Sequence, residues 1–212
     1  MSTLMHEMFC LDSFHKELFF WDDFLGDQLK DEWREAGVGS AAVIDAQTGG
    51  IVRITTGAIT NDAYYIDWGD IRSLHVDKRV SMEVRVKLNQ IVWARPELRL
   101  IFDGNNFIAF DGFNDAGVEN WAIQCRDDGP ITAFDSGVAL DTNYHIYRIE
   151  CHIHGGSHVH FYIDGVETDN SPINTNIPDD AGDYLQPYIY QLAREDVAKS
   201  MDIDYVGVRQ DV

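Results

Sequence analysis

Four histidines have the spacing most suggestive of chemistry in this chain. They form two His-x-His strings, His152/His154 and His158/His160, separated by the loop Gly155-Gly156-Ser157. A three-residue loop is a common hairpin closure, and it predicts the cross-strand pairs 154/158 and 152/160. In that register all four imidazoles lie on the outward face of one hairpin, where they could bind Zn²⁺ or Ni²⁺. Two alternatives stay open: ordinary polar side chains on an outward face, or a patch that responds to pH because four charged imidazoles repel one another.

Acidic turns and exposed aromatic rings are weaker candidates for ligand binding. The turns at 103–106, 111–115 and 127–129 offer oxygen ligands for Ca²⁺, but none has the spacing of an EF-hand or repeat loop. Such turns are expected in any β protein, so no calcium site is predicted. Exposed aromatics could form a platform for a sugar ring. Of Trp68, Trp93 and Trp121, Trp93, which lies between strands, is the one expected to be exposed.

The N-terminal segment is apolar enough to need a partner surface. Residues 4–11 place apolar side chains at helical spacing, and Leu18-Phe19-Phe20-Trp21 is a dense apolar cluster. So much exposed apolar area would be a liability on a free monomer. The sequence therefore predicts an arm over residues 1–20 that docks on another subunit, with a sandwich domain over 21–212. The alternative is that the arm covers an open end of its own domain. The docking residues expected are Met5, Met8, Phe9, Leu18, Phe19 and Phe20.

From residue 41 onward the chain has the period-two pattern of β-strands. Residues 79–88 show it best, with Val80, Met82, Val84, Val86 and Leu88 on one face and polar or charged residues on the other. About eleven such segments follow one another, bounded by Gly, Asn or Asp. This spacing is typical of an antiparallel sandwich or barrel. The fold class predicted is all-β.

Composition excludes several classes of partner. Sixteen Lys and Arg against 36 Asp and Glu leave a net charge of −20 in 212 residues, so nucleic acid and anionic membranes are not expected to bind. Three widely spaced cysteines without a C-x-x-C pair indicate synthesis in a reducing compartment. The acidic N-terminus lacks the pattern of a secretory signal peptide. No cofactor is predicted.

Several motifs resemble one structural family. The opening Trp21-Asp22-Asp23-Phe24, the strand at 83–88, the hairpin strings at 144–151 and 161–165, and the closing strand at 201–206 are similar to concanavalin A-like (laminin G-like) jelly-roll domains. The resemblance covers residues 21–209 and is strongest for such domains in structural proteins of tailed bacteriophages. It implies an antiparallel jelly-roll β-sandwich. It is weaker for function, because the same sandwich serves as lectin, glucanase, lyase and virion component.

The enzymes of this fold class need acid–base groups on one face of a sheet. A glucanase-type E-x-D-x-x-E strand would place two carboxylates about 5 Å apart, and no such string occurs. Adjacent carboxylates such as those at 22–23, 127–128 and 179–180 would point to opposite faces of a strand. The strings Q-I-H and R-x-E, which are typical of alginate lyases, are interpreted as missing. Glu83-Val84-Arg85 has the reverse order of R-x-E. The sequence is therefore interpreted as that of a protein that is not an enzyme.

These observations favour a virion structural protein of a tailed bacteriophage, specifically a capsid decoration (cement) protein. The expected partners are the major capsid protein or other virion subunits, in a homo-oligomer. The expected location is the capsid exterior, after synthesis in the host cytoplasm. The alternative is a lectin-like carbohydrate-binding module of a tail fibre, with a glycan as ligand. A polysaccharide-degrading enzyme is the third interpretation.

Overall fold

The computed structural model describes residues 17–26, 28–44, 49–69, 73–113, 119–152, 157–180, 182 and 184–211. In these residues the regular structure consists of fifteen β-strands and one 3₁₀ turn, Val76–Lys78. No helix among them is long and apolar enough to span a bilayer. The strands are β1 Glu17–Asp22, β2 Arg34–Gly37, β3 Gly39–Val43, β4 Val52–Thr56, β5 Ala63–Asp67, β6 Ser81–Leu88, β7 Ala94–Ile101, β8 Phe107–Asp111, β9 Asn120–Arg126, β10 Thr132–Ala139, β11 Tyr144–His152, β12 His158–Ile163, β13 Val166–Glu167, β14 Gln186–Ala193 and β15 Ser200–Asp211.

The strands form two antiparallel sheets. An eight-stranded sheet has the order β13-β12-β11-β6-β15-β4-β3, with β1 added on β15 beyond the end of β4. A seven-stranded sheet has the order β10-β9-β8-β7-β14-β5-β2. The predicted all-β jelly-roll sandwich is confirmed.

The core lies between the two sheets and follows from the alternation of each strand. In β6 and the residue before it, Val80, Met82, Val84, Val86 and Leu88 are buried, as the period-two pattern predicted. The facing sheet contributes inward side chains from β7, β8, β9 and β14. Each strand that covers the core also has a face that points away from it. The polar and charged side chains discussed below lie on these outer faces of the two sheets.

Strand β1 separates the apolar N-terminal cluster into two faces. Its pairing with β15 runs from Glu17 opposite Asp211 to Asp22 opposite Val206. Leu18 and Phe20 point inward and pack against this chain's own core, so their expected role in docking on another subunit is corrected. Phe19 points outward and is 51% exposed. The other expected docking residues, Met5, Met8 and Phe9, lie outside the described residues.

The two tryptophans near the start of the sandwich have different environments. Trp33 is buried and packs edge-on against Phe20, with its ring centre 5.9 Å away. Trp21 is half-exposed instead, because it lies on the outer face over Gly207 and stacks on Tyr205 at 4.5 Å. A Cβ at position 207 would lie within 3 Å of the Trp21 ring, so this contact requires glycine.

Asp22, the last residue of β1, anchors the turn that follows. Its side chain has no solvent exposure. One carboxylate oxygen accepts the Phe24 backbone N–H at 2.9 Å and lies 2.5 Å from Lys30 Nζ. The other accepts the Trp33 indole N–H at 2.8 Å. A single carboxylate thus ties β1 to the segment that leads into β2.

The two phenylalanines of β1 allow a direct test of its inward and outward faces. We expect Phe20→Ala to lower the free energy of unfolding by about 2 kcal/mol, because Phe20 packs against Trp33 and Trp68 in the core. Phe19→Ala, one residue away on the exposed face, should change it by less than about 0.5 kcal/mol. Urea unfolding of both variants measures the difference. Equal effects would contradict the assigned faces.

Candidate functional site

The outer face of the seven-stranded sheet gathers most of the sandwich's buried outward-facing ionic groups. In β7, Leu98 and Leu100 point into the core, so alternation places Arg95, Glu97 and Arg99 on the opposite face. We call this surface the seven-strand face. Besides those three residues it comprises Arg34, Tyr65, Asp67, Asp111, Gln124, Tyr188 and Tyr190.

A pair of carboxylates lies at the centre of the seven-strand face. Glu97 of β7 and Asp111 of β8 are direct cross-strand partners. Arg95 Nε lies 2.9 Å from a Glu97 oxygen and 3.0 Å from Asp111 Oδ1, and Arg95 also contacts Asp111 Oδ2 at 2.7 Å. The first two oxygens are therefore less than about 6 Å apart, with Arg95 bridging the two carboxylates.

Burial sets the electrostatics of this pair. Glu97 is only 2% exposed, and burial raises its pKa, while ion pairs with Arg99 and Arg95 oppose that change. Hydrogen bonding to Asp111 raises the pKa of Arg95, which therefore stays charged. Asp111 also accepts a hydrogen bond from the Gln124 side chain at 3.1 Å. The carboxylates are thus held in place by arginine and amide donors.

Arg99 is the most buried arginine of the cluster. Its guanidinium pairs with Glu97 and lies over the Phe107 ring, 4.4 Å from the ring centre. Its Nε is buried without a hydrogen-bond partner in the described residues. The Gln186 side-chain oxygen, at the start of β14, is another buried atom without one. Such atoms are uncommon in native proteins, and they indicate hydrogen-bonding capacity that the fold itself does not use.

A row of tyrosines continues the seven-strand face beyond the ionic pair. Tyr188 and Tyr190 of β14 are cross-strand partners of Arg99 and Glu97, and their rings are stacked 5.8 Å apart. Tyr65 of β5 lies 4.7 Å from Tyr188. Burial, followed by the nearby charge of Glu97, raises the pKa of both Tyr188 and Tyr190. Both phenols are therefore protonated donors near neutral pH.

Both ends of the seven-strand face extend the polar surface. At one end Arg34 forms a bidentate pair with Asp67, with distances of 2.9 and 2.6 Å. At the other end, β9 and β10 border a depression of about 530 Å³ lined by Asn120, Ala122, Ala133, Phe134 and Asp135. Ala122, which lines this depression, is the direct cross-strand partner of Asp111. The face is therefore long enough to contact several consecutive residues of an extended ligand.

The expectation that this chain lacks a same-face carboxylate pair is wrong. Glu97 and Asp111 were missed because they come from different strands, and only the pairing of β7 with β8 brings them together. The interpretation that R-x-E is missing is also wrong, because Arg95-Pro96-Glu97 is such a string and lies on β7. A second R-x-E string, Arg148-Ile149-Glu150, lies on β11 of the other sheet, so the string alone would not have identified the site.

The histidine hairpin has the predicted faces but a different register. His152 pairs with His158, and His160 pairs with Glu150, two residues away from the predicted pairs. A shift of two keeps the side chains on the same face, so His152, His158 and His160 still point outward while Val159 and Phe161 are buried. His154 lies outside the described residues. As placed, the described side chains include no group of three or more His, Cys, Asp or Glu that could hold a metal ion.

Two weaker candidates are also located. Trp93 is 37% exposed, which confirms that its ring is accessible. In the turn at 103–106, Asp103 accepts the backbone N–H groups of Asn105 and Asn106 at 2.7 and 2.9 Å. That carboxylate therefore has a local structural use.

Several solved structures share the fold of this chain. A glycosyl hydrolase family protein from Mycobacterium fortuitum has a TM-score of 0.65 and 15% identity, covering 89% of this chain and 98% of that one. An endo-β-1,4-glucuronan lyase from Trichoderma reesei has a TM-score of 0.65 and 10% identity, covering 89% and 94%. A carbohydrate esterase from the Shiga toxin-encoding bacteriophage phi24B has a TM-score of 0.57 and 14% identity, covering 85% and 90%. No protein-family model matches the chain, and no curated protein matches it in sequence.

These findings correct the interpretation as a capsid decoration protein that is not an enzyme. That interpretation depended on a missing catalytic set and on an apolar arm, but the seven-strand face carries a carboxylate pair and β1 packs on its own core. The similar structures include glycosyl hydrolase family proteins, a glucanase and a lyase, and these are not capsid proteins. The predicted concanavalin A-like fold is confirmed. The expected virion partners and location stay untested predictions.

Proposed function

We propose that this chain is a polysaccharide-degrading domain that binds an acidic polysaccharide along the seven-strand face. The observation that carries the proposal is the buried Arg95–Glu97–Arg99–Asp111 cluster bordered by tyrosines. Burying charged groups costs free energy, so an outer sheet face with only a structural role is not expected to carry charges that are buried to this degree. Perturbed, buried ionisable groups on one surface are typical of functional sites.

Arginine is the reason to favour an acidic polymer. Its planar guanidinium binds carboxylates through two parallel hydrogen bonds. Arg34 of β2 and Arg99 of β7 lie in one cross-strand row of this sheet, and Arg95 lies four residues from Arg99 along β7. In a chain of net charge −20, these three arginines balance the charges of Asp67, Glu97 and Asp111, so this part of the seven-strand face does not repel an anionic sugar. The similarity in fold to a glucuronan lyase supports the same class of substrate.

Tyr190 is the group we assign to proton transfer. Cleavage of a glycosidic bond requires a proton for the departing oxygen, and Tyr190 is a partly exposed phenol whose raised pKa keeps that proton near neutral pH. Its position opposite Glu97 places it next to the arginines that would bind a sugar carboxylate. Glu97 acts here as a positioning residue, because it is almost fully buried and orients Arg95 and Arg99.

A second candidate is binding without cleavage. It is favoured by one observation: Asp67, Glu97 and Asp111 are each paired with an arginine. Paired carboxylates are poor nucleophiles, and tyrosines with paired charges also form glycan-binding surfaces. The two candidates share the ligand and differ in whether products appear.

The test is a panel of soluble polysaccharides that includes glucuronan, alginate and a neutral β-glucan. We expect shorter products from an acidic polymer and none from the neutral one. Ultraviolet absorption of an unsaturated product would identify elimination, and saturated reducing ends would identify hydrolysis. Retention of the acidic polymer without products would support the binding candidate. Cleavage of only the neutral glucan would overturn the proposal.

A matched pair of arginine variants locates the activity. Arg99→Gln should abolish binding of the acidic polymer, because it removes the most buried cation of the seven-strand face. Arg53→Gln is the control, since Arg53 forms a similar bidentate pair with Asp202 on the other sheet. Circular dichroism confirms folding of both. An equal loss in the two variants would place the binding surface elsewhere.

A further inference from the structure

The outer face of the eight-stranded sheet carries a compact cluster of three histidines. His152 of β11 and His158 and His160 of β12 have ring centres 5.4, 5.1 and 5.1 Å apart in the three pairwise combinations. All three are partly exposed, and the buried Val159 and Phe161 fix the strand face from which they project. This cluster lies on the sheet opposite to the seven-strand face, so the proposed polysaccharide site does not use it.

These separations agree with those of imidazoles that share one metal ion. Zn–N bonds of about 2.0–2.1 Å at tetrahedral angles place ligating ring centres roughly 5 Å apart. The donor nitrogens do not converge on one point in the structure as it stands. Convergence needs rotation of the rings about side-chain bonds. The pairing of β11 with β12 already places the three rings at the separation that such a site needs.

A carboxylate already orients one of the three rings in the way that is common for metal-binding histidines. His160 Nδ1 is 2.5 Å from a Glu167 oxygen, and the same oxygen accepts a hydrogen bond from the Ser171 hydroxyl at 2.9 Å. Metal-binding histidines commonly direct the second ring nitrogen to a carboxylate, which orients the ring. With Nδ1 directed to Glu167, Nε2 is the nitrogen of His160 that can bind an ion. His152 has a second carboxylate nearby, because its Nε2 lies 3.6 Å from Glu150.

We propose that His152, His158 and His160 bind one Zn²⁺ ion on the outer face of β11 and β12, with Glu167 positioning His160. Imidazole nitrogen suits zinc and does not suit hard cations such as Ca²⁺. Three protein ligands leave a coordination position for water or another group. The bound ion would link β11 to β12 next to the turn that joins them.

Calorimetric titration of the protein with zinc chloride tests this proposal. We expect one equivalent of Zn²⁺ to bind with micromolar affinity and calcium chloride to give no heat. His158→Ala and His160→Ala should each weaken zinc binding at least tenfold, because two imidazoles bind less tightly than three. Glu167→Gln should weaken it less, because it removes only the group that orients His160.

The control is His145→Gln. His145 lies on the same strand as His152, but its ring is held between Asp141 at 3.0 Å and Asp164 at 2.6 Å, away from the cluster. Zinc affinity should be unchanged in this variant. The proposal is overturned if the wild-type protein gives no zinc heat, if the His158 and His160 variants bind as tightly as wild type, or if His145→Gln loses affinity to the same extent.

Discussion

Tyr190→Phe is expected to reduce cleavage of the acidic polysaccharide by at least about 100-fold and to leave its binding nearly unchanged. The substitution removes one hydroxyl and keeps the aromatic ring, so the stacking contact with Tyr188 persists. A positioned proton donor contributes typically about 10²–10⁴-fold to the rate of such a step. The measurement is the initial rate of product formation together with the dissociation constant of the polymer. The expected loss is therefore in kcat.

The matched control for this prediction is Tyr162→Phe. Tyr162 is also a partly exposed tyrosine on an outer face, but it belongs to the eight-stranded sheet, where Arg148 lies 4.3 Å from its ring centre. Its rate should equal that of the wild-type protein. If Tyr190→Phe cleaves as fast as wild type, another residue supplies the proton. A loss of polymer binding in Tyr190→Phe would give the hydroxyl a role in recognition instead.

Asp22→Ala is expected to destabilise the fold by about 3 kcal/mol or more, the largest effect on stability predicted for a single residue here. The carboxylate is fully buried and satisfies the Phe24 backbone N–H, the Trp33 indole N–H and Lys30 at once. Its removal leaves these donors, one of them charged, without their acceptor. Urea unfolding followed by tryptophan fluorescence measures the change.

Asp23→Ala separates the role of Asp22 from a general effect of charge in this segment. Asp23 is adjacent, carries the same charge and is only half-buried. We expect a change below about 0.5 kcal/mol, as is usual for substitutions away from buried networks. A comparable loss in both variants would show that net charge near β1, and not the buried hydrogen bonds, determines stability.

The parts of the fold that the sequence predicted well are those in which one face of a strand is buried. Residues 80–88 are an example, because alternate apolar side chains leave only one way to place the strand against a core. The turn at Asp164-Gly165 is another. Both residues have positive φ, 52° and 78°, as a two-residue hairpin turn of this type requires.

The candidate site was harder to predict because it depends on pairing between strands. Glu97 and Asp111 lie on the consecutive strands β7 and β8, and nothing in either segment alone shows that they are direct partners. The register of the histidine hairpin was hard to predict for the same reason. Its outward face followed from the positions of Val159 and Phe161, but its register did not follow from the glycines of the loop. Patterning determines which face a side chain occupies, and pairing determines which side chains meet.

The position of β15 has a consequence for how this protein is made. Its first half pairs with β4, its second half with β1, and both halves pair with β6 on the other side. During synthesis on the ribosome, residues 17–22, 52–56 and 81–88 emerge long before the strand that joins them. Until residues 200–211 appear, those segments keep unpaired edges that could associate with other nascent chains. Closure of the eight-stranded sheet is therefore a late event in biosynthesis, and chaperones that shield exposed strands would act mainly before it.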